Sequence, residues 1–277
     1  MTRNSPIDET EALAQELRAD VLTMVHRAKA SHVGSCLSIV DILAVLYGRV
    51  LRHDASIDKW PDRDRFILSK GHAAAAVYAV LANKGFIPRS DLERYGAEGS
   101  PFMTHISHKI RGVDFSSGAL GHGLPFGVGK ALAAKRRKAD WRTFVLLSDG
   151  EMDEGSNWEA LMFASHHRLD NLVAIIDYNK LQSLTTTAAT LGLEPLVDKL
   201  VAFGWEVREV DGHNHFRLSE ELGSVAWQPG KPSLLLAHTT KGKGVSFMED
   251  KVEWHYRSPS DAQLASALAE VRGSEDA

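Results

Sequence analysis

The chain has almost no cysteine: among its 277 residues only Cys36 carries a thiol. One thiol cannot close an intramolecular disulfide, so no disulfide framework holds this fold, and a reducing cytoplasm is the expected compartment. Excess positive charge is also missing. The formal net charge is −4, which removes the basic footprint that nucleic acid requires. No stretch approaches the roughly 18 apolar residues of a membrane span, so no membrane partner is expected. The opening residues, Met-Thr-Arg-Asn-Ser-Pro-Ile-Asp-Glu-Thr, hold no apolar core of a secretory leader. Internal repeats are absent, and the one low-complexity tract is the short Thr185-Thr186-Thr187-Ala188-Ala189-Thr190. What remains is an ordinary globular composition, long enough for one large α/β domain or two small ones.

The organising stretch runs from Phe144 to Ser183. Phe144 to Leu147 is an apolar run with the length of a buried strand. Ser148-Asp149-Gly150 ends it with turn chemistry. After the acidic segment Glu151 to Glu154, the residues Gly155, Ser156 and Asn157 can cap a helix. One face of that helix carries Trp158, Leu161, Met162 and Ser165. A second strand-like run, Leu172 to Ile176, ends in Asp177-Tyr178-Asn179. Strand, helix, strand in this order makes a parallel pair. It sets Asp149 and Asn179 at the carboxyl ends of two strands, where open α/β sheets bind ligands. A carboxylate oxygen, an amide oxygen and backbone carbonyls suit a hard cation such as Mg²⁺ or Ca²⁺. Backbone N–H groups around Gly150 suit phosphate oxygens. Taken alone, Asp149 and Asn179 each read more readily as turn residues.

The rest of the chain extends the pattern. Residues 8–30 form a helix with Leu13, Leu17, Val21, Met24, Val25 and Ala28 on its apolar stripe. A second helix is expected near Ser38 to Val50, which leaves His32 in the turn between them. Residues 52–64 form a loop. Arg65 to Leu68 is a strand that runs through Ser69-Lys70-Gly71-His72 into the helix Ala73 to Ala82. His72 sits at that helix N-terminus, where an imidazole can bond a phosphate oxygen or simply cap. The loop-rich stretch 83–117 contains His105 and His108, but T-H-I-S-H lacks the partners of a zinc site. Ser116 to Gly123 is rich in glycine and leads to the helix Val128 to Lys135. Further on come a polar loop, Leu181 to Gly192, and a helix, Glu194 to Phe203, with Leu196, Leu200 and Val201 inward. The strand Trp205 to Val210 then ends in Asp211-Gly212-His213-Asn214. A helix from Leu218 to Ala226, a strand from Ser233 to Ala237 and a short helix from Ser260 follow, and the last residues are frayed. The alternation predicts an α/β fold, a parallel sheet with helices on both faces, as one domain over residues 1–277.

Asp149-Gly150, about thirty residues, then Asn179 resembles the thiamine diphosphate motif, with Ser148 in place of its first glycine. Seven strings together resemble the amino-terminal, diphosphate-binding part of transketolase, over nearly the whole chain. They are A-S-H-V-G-S, L-S-K-G-H, S-G-A-L-G-H-G, D-G-E-M-D-E-G-S-N-W-E-A, D-Y-N-K-L-Q, T-K-G-K-G and E-W-H. The resemblance implies transfer of a two-carbon ketol group from a ketose to an aldose through thiamine diphosphate. Asp149, Asn179 and the Leu181 carbonyl would hold Mg²⁺. Gly150 and His72 would contact the diphosphate, while Gly118, Ala119, Leu120, Glu151 and His255 would complete the cofactor site. His32, His72 and His255 would serve in proton transfer, and Glu154 would lie at a subunit interface. Three further positions depart from the family pattern: Ala119 for Pro or Ser, His122 for Gln, and Tyr256 for Gly, which would narrow the sugar entrance. The family's full protein is more than twice as long, and its second domain supplies the glutamate that activates the cofactor. The resemblance therefore implies half an enzyme, completed by a carboxy-terminal subunit with two copies of each chain, acting on sugars or sugar phosphates.

Two rival enzyme readings share the scaffold: the alpha chain of a 2-oxo acid dehydrogenase and a relative of deoxyxylulose phosphate synthase. The K-G-K-G and W-H strings favour transketolase over both. A non-catalytic regulatory subunit is the third alternative, against which the intact Asp149, Asn179 and His72 argue.

Overall fold

The apolar runs of the sequence become the strands of one buried sheet. In a computed structural model, which describes residues 6–57 and 59–273, the elements follow in this order. Helix α1 (Pro6–Ala28) leads to α2 (Val33–Leu37) and α3 (Val40–Val45), which runs on into a π-helical turn (Leu46–Val50). Strand β1 (Arg65–Leu68) is followed by α4 (Ala74–Asn83), α5 (Gly123–Arg137), β2 (Thr143–Ser148), α6 (Gly155–His166) and β3 (Leu172–Tyr178). Then come α7 (Thr187–Thr190), α8 (Leu196–Ala202), β4 (Glu206–Asp211), α9 (His215–Gly223), β5 (Ser233–His238) and α10 (Asp261–Arg272). The opening residues 1–5, read as part of a leaderless start, and the tail 274–277, read as frayed, lie outside the described residues.

Among the described residues the five strands are all parallel, in the order β1-β2-β3-β5-β4. The central strands are buried on both faces, as their unbroken apolar runs require. Successive side chains point to opposite faces. Phe144, Leu146, Val173 and Ile175 pack with α1, α3 and α4, whereas Val145, Leu147, Ala174 and Ile176 pack with α5, α6 and α8. Each fully buried Val, Leu, Ile or Phe among them contributes roughly 1.5–3 kcal/mol.

Several expectations are corrected. The helix expected from Ser38 starts at Val33 and is broken near Ser38, whose hydroxyl turns away to Asp177 Oδ2 at 2.7 Å. Val33–Val50 is long and apolar enough for a membrane span by length and composition, yet 89% of it is buried inside the protein. The helix expected at Leu218–Ala226 begins at His215 and ends at Gly223, because the Asn214 side chain accepts the Arg217 N–H at 3.0 Å and caps it. Val201, expected to face inward, is exposed, and so is Met162, expected to share a face with the buried Leu161. The capping residues of α6 also differ: Glu154 holds the N-cap position, and Asn157 lies inside the helix with its amide on the Glu151 carbonyl at 2.7 Å.

Candidate functional site

Parallel strands present their carboxyl ends together, and this places the turns after β1, β2, β3 and β5 around one cleft of about 270 Å³. Its walls include Asp149, Gly150, Asn179, Leu181, His32, His72, His105, His255, Lys70 and Lys241. Ser148 and Asp177 are register partners, so Asp149 and Asn179 leave adjacent strands at nearly the same level. Asp149 accepts the Gly150 N–H at 2.7 Å and the Lys180 N–H. Asn179 donates its amide to Asp177 at 3.0 Å, and its Oδ1 accepts the Leu181 N–H at 3.1 Å. These bonds fix which way the amide faces. Behind them Asp177 is fully buried and accepts from Lys70 Nζ, Ser38 Oγ, Asn179 Nδ2 and Thr239 Oγ1.

Four imidazoles close the cleft. The His32 ring lies 5.0 Å from His72, 5.6 Å from His105 and 5.0 Å from His255, centroid to centroid. His32 holds a left-handed backbone at φ 76°, pinned by its N–H to the His255 carbonyl at 2.7 Å. Non-glycine residues in that region are uncommon and cluster at functional sites. The buried Nδ1 of His32 has no hydrogen-bond partner among the described residues.

Burial and cationic neighbours set the charge of the cleft. Burial, then His105 and Lys241, brings His32 down to about 4. Burial, then Lys241, brings His255 to about 3. Burial and Lys70 push His72 well below the ordinary range, and burial also lowers His105. The imidazoles are therefore neutral near pH 7, each with one N–H donor and one lone pair. Burial, then the charge of Asp177, raises Asp149 to about 7. Asp177 is ion-paired with Lys70, whereas Asp149 accepts, among the described residues, from backbone N–H groups. A divalent cation would supply the charge that Asp149 lacks. The donor set of carboxylate, amide and carbonyl oxygens fits Mg²⁺ or Ca²⁺. The Leu181 carbonyl accepts Lys241 Nζ at 3.1 Å on one lone pair, and its second lone pair is the one a metal would use.

The sequence-expected residues divide clearly. His32, His72, His255, Gly118, Leu120, Asp149, Gly150, Asn179 and Leu181 line the cleft. Ala119 is exposed and off its wall. Glu151 is fully buried and also off the wall. It accepts from Ser69 Oγ at 2.5 Å and from Gly121 N at 2.9 Å, and so ties the glycine-rich loop to the turn after β1. The Gly150 N–H is engaged by Asp149 and does not face the cleft as a free donor. Glu154 is exposed outside the cleft, beside Gly121.

The chain matches the family described as "Transketolase, thiamine diphosphate binding domain" over residues 9–271. It belongs to that family. It is 42% identical over 271 residues to an apulose-4-phosphate transketolase subunit of Phocaeicola vulgatus, covering 96% of this chain and 94% of the relative. A Clostridium protein, 6-deoxy-6-sulfo-D-fructose transketolase subunit SqwG, is 40% identical over 259 residues, covering 93% of this chain and 94% of the relative. The solved Campylobacter jejuni transketolase superposes with a TM-score of 0.89 at 29% identity, over 98% of this chain. The chain spans 43% of that longer transketolase.

Within the transketolase frame, the cleft holds residues that sequence reasoning missed. Lys70 and Lys241 sit inside strings already singled out, S-K-G-H and T-K-G-K-G, and a lysine beside a glycine turn at a strand end was the available signal. His105 had no local signal. The bond from Ile106 N to Gly71 O, 3.0 Å, folds its loop onto the turn before His72. Tyr256 stands at the cleft edge, its ring 4.8 Å from His255. His108 faces away, with Nδ1 2.6 Å from Ser116 Oγ.

Proposed function

We propose that this chain is the amino-terminal subunit of a two-chain transketolase, working with a carboxy-terminal subunit in an assembly of two copies of each. Thiamine diphosphate and Mg²⁺ bind at the cleft, with Asp149 and Asn179 as metal ligands and the Leu181 carbonyl as a third. The reaction moves a two-carbon ketol group from a ketose to an aldose. Two relatives are named for a sugar phosphate and a sulfonated sugar, which supports a ketose carrying a terminal anionic group. The single buried thiol of Cys36 supports a reducing, cytoplasmic setting.

The observation that carries this reading is the convergence of Asp149, Asn179 and four neutral imidazoles in one cleft. When bound, thiamine diphosphate supplies the electron sink for carbon–carbon bond cleavage. The chain's own residues do the rest. Asp149 and Asn179 hold the metal, and His72, at the start of a helix, offers an N–H to the diphosphate. His32, already neutral, takes a proton at a sugar oxygen on its free lone pair, while His255 donates an N–H hydrogen bond to one. Lys241 Nζ donates to His255 Nδ1 at 3.0 Å, which leaves the proton of His255 on Nε2. His105 adds a fourth imidazole to the same wall.

The test is native mass spectrometry of the chain purified from its own host with thiamine diphosphate and Mg²⁺, followed by ketol-transfer assays. A complex with a second chain plus cofactor mass is expected, with transfer only when both chains are present. Full-rate transfer by this chain alone would overturn the two-chain reading. A homo-oligomer that binds no cofactor would overturn the catalytic one.

A further inference from the structure

The end of β4 carries a histidine that the cleft does not use directly. The turn Asp211-Gly212-His213-Asn214 runs close under the exit of β5. A Cβ at Gly212 would stand 2.4 Å from Thr239 Cγ2, so only glycine lets the two turns approach. The Gly212 N–H bonds the His238 carbonyl at 2.8 Å, and the His213 N–H bonds Asp211 Oδ1 at 2.9 Å. The backbone on both sides of the imidazole is thereby fixed.

The ring bridges two groups. Its Nε2 accepts the Thr240 N–H at 2.8 Å, and its Nδ1 faces Asp41 Oδ2 at 2.7 Å. A nitrogen that accepts an N–H carries no proton, so the proton sits on Nδ1 and is donated to Asp41. Asp41 is buried and also accepts from Arg18 and from His215 Nε2, the latter at 2.9 Å. Arg18 Nε in turn donates to the Lys243 carbonyl at 3.2 Å. Asp41 therefore anchors two donors that grip the same loop at Thr240 and Lys243.

That loop delivers one group to the cleft and one to the carboxylate behind it. Thr239 donates to Asp177, and Lys241 donates to Leu181 O, Gln182 O and His255 Nδ1. We propose that His213 is a positioning residue for the cofactor cleft: its Nε2 lone pair, oriented by Asp41, holds the Thr239–Lys241 turn so that the Lys241 ammonium enters the cleft and the Thr239 hydroxyl meets Asp177 behind it. The proposal rests on the thiamine diphosphate reading above.

The test is isothermal titration of thiamine diphosphate in saturating Mg²⁺ into the chain, with its partner subunit where one copurifies. It is run alongside thermal melts of the unliganded protein. The variants are His213→Leu, which removes the acceptor, and His213→Gln, whose Oε1 can accept the Thr240 N–H while its amide faces Asp41. Leaving the part-buried Thr240 N–H without an acceptor loosens the turn and weakens binding by about tenfold. The expected result is that loss in His213→Leu and near-wild-type affinity in His213→Gln. Wild-type affinity in His213→Leu overturns the proposal, and so does an equal loss in both variants, which would mark a purely steric role. If His213→Leu does not fold, weak binding by a folded His213→Gln overturns it equally. Failure of the wild-type protein to bind thiamine diphosphate at all would refute the functional reading itself, a distinguishable result.

Discussion

Replacing Lys70 by methionine tests whether the buried charge pair behind the cleft holds the ends of β1, β3 and β5 together. The side chains of Lys70 and Asp177 are 1% and 0% exposed. Removing the ammonium leaves a fully buried carboxylate without a counter-charge, which typically costs about 3–5 kcal/mol. Three neutral donors remain on Asp177, from Ser38, Asn179 and Thr239, so the low end, ~3 kcal/mol, is expected. For a chain of this size that lowers Tm by roughly 6–12 °C. The assay is a thermal melt of wild type, Lys70→Met, Asp177→Asn and the double variant. The double variant should recover part of the loss, because neither charge is then stranded. In the native fold burial works to raise Asp177, but Lys70 and the hydroxyl donors outweigh it and hold the group below its usual range. Without Lys70 burial dominates and the folded pKa rises above the unfolded one. The penalty is then present above that pKa and relieved as pH falls through it, so the gap to wild type narrows on acidification. A loss under ~1 kcal/mol in Lys70→Met, the range of an exposed ion pair, or an additive double variant would refute the reasoning.

Other substitutions test neighbouring parts of the cleft. Asp149→Asn removes a buried charge but also one of the two acceptor oxygens used by the Gly150 and Lys180 N–H groups, so the unliganded chain should melt close to wild type. The rise in Tm caused by thiamine diphosphate with Mg²⁺ should vanish, and its survival would contradict the ligand role. His32 is lowered from 6.5 to about 4, chiefly by burial. Between those values the unfolded chain binds the extra proton, so this residue lowers stability as pH falls through the window and has no such effect above it. His32→Asn should make that part of the pH–Tm curve less steep, the lowered His72, His105 and His255 supplying the slope that remains, and an unchanged curve would count against the burial argument. A Cβ at Gly71 would stand 2.3 Å from the Ser117 carbonyl oxygen and 2.6 Å from its carbon. Gly71→Ala must therefore displace backbone, at about 1–3 kcal/mol, with weaker cofactor binding by titration calorimetry.

Much of this cleft was legible from local pattern. Apolar runs of strand length, ended by Ser148-Asp149-Gly150 and Asp177-Tyr178-Asn179, follow directly from hydrophobic periodicity and turn chemistry. In a parallel sheet that fixes both polar ends on one edge. His32 and His72 were also readable, since each sits beside glycine or serine at a helix start. Boundaries that depend on side-chain contacts were not. The break in the helix at Ser38 follows from a hydroxyl drawn to Asp177, 139 residues away in sequence, and no local propensity encodes it.

The sequence alone therefore determined the class of fold, the strand ends that carry Asp149 and Asn179, and the family, because those depend on short-range order and residue type. Only the tertiary structure decided which of the candidate groups share the cleft. It brought in His105, Lys70 and Lys241, moved Ala119 and Glu151 off the wall, and put His213 under the Lys241 loop. The physical reason is that charge state and orientation in a buried site are set by neighbours distant in sequence. Asp149 rises to about 7 through burial and Asp177, a contact made when β2 and β3 pair in register.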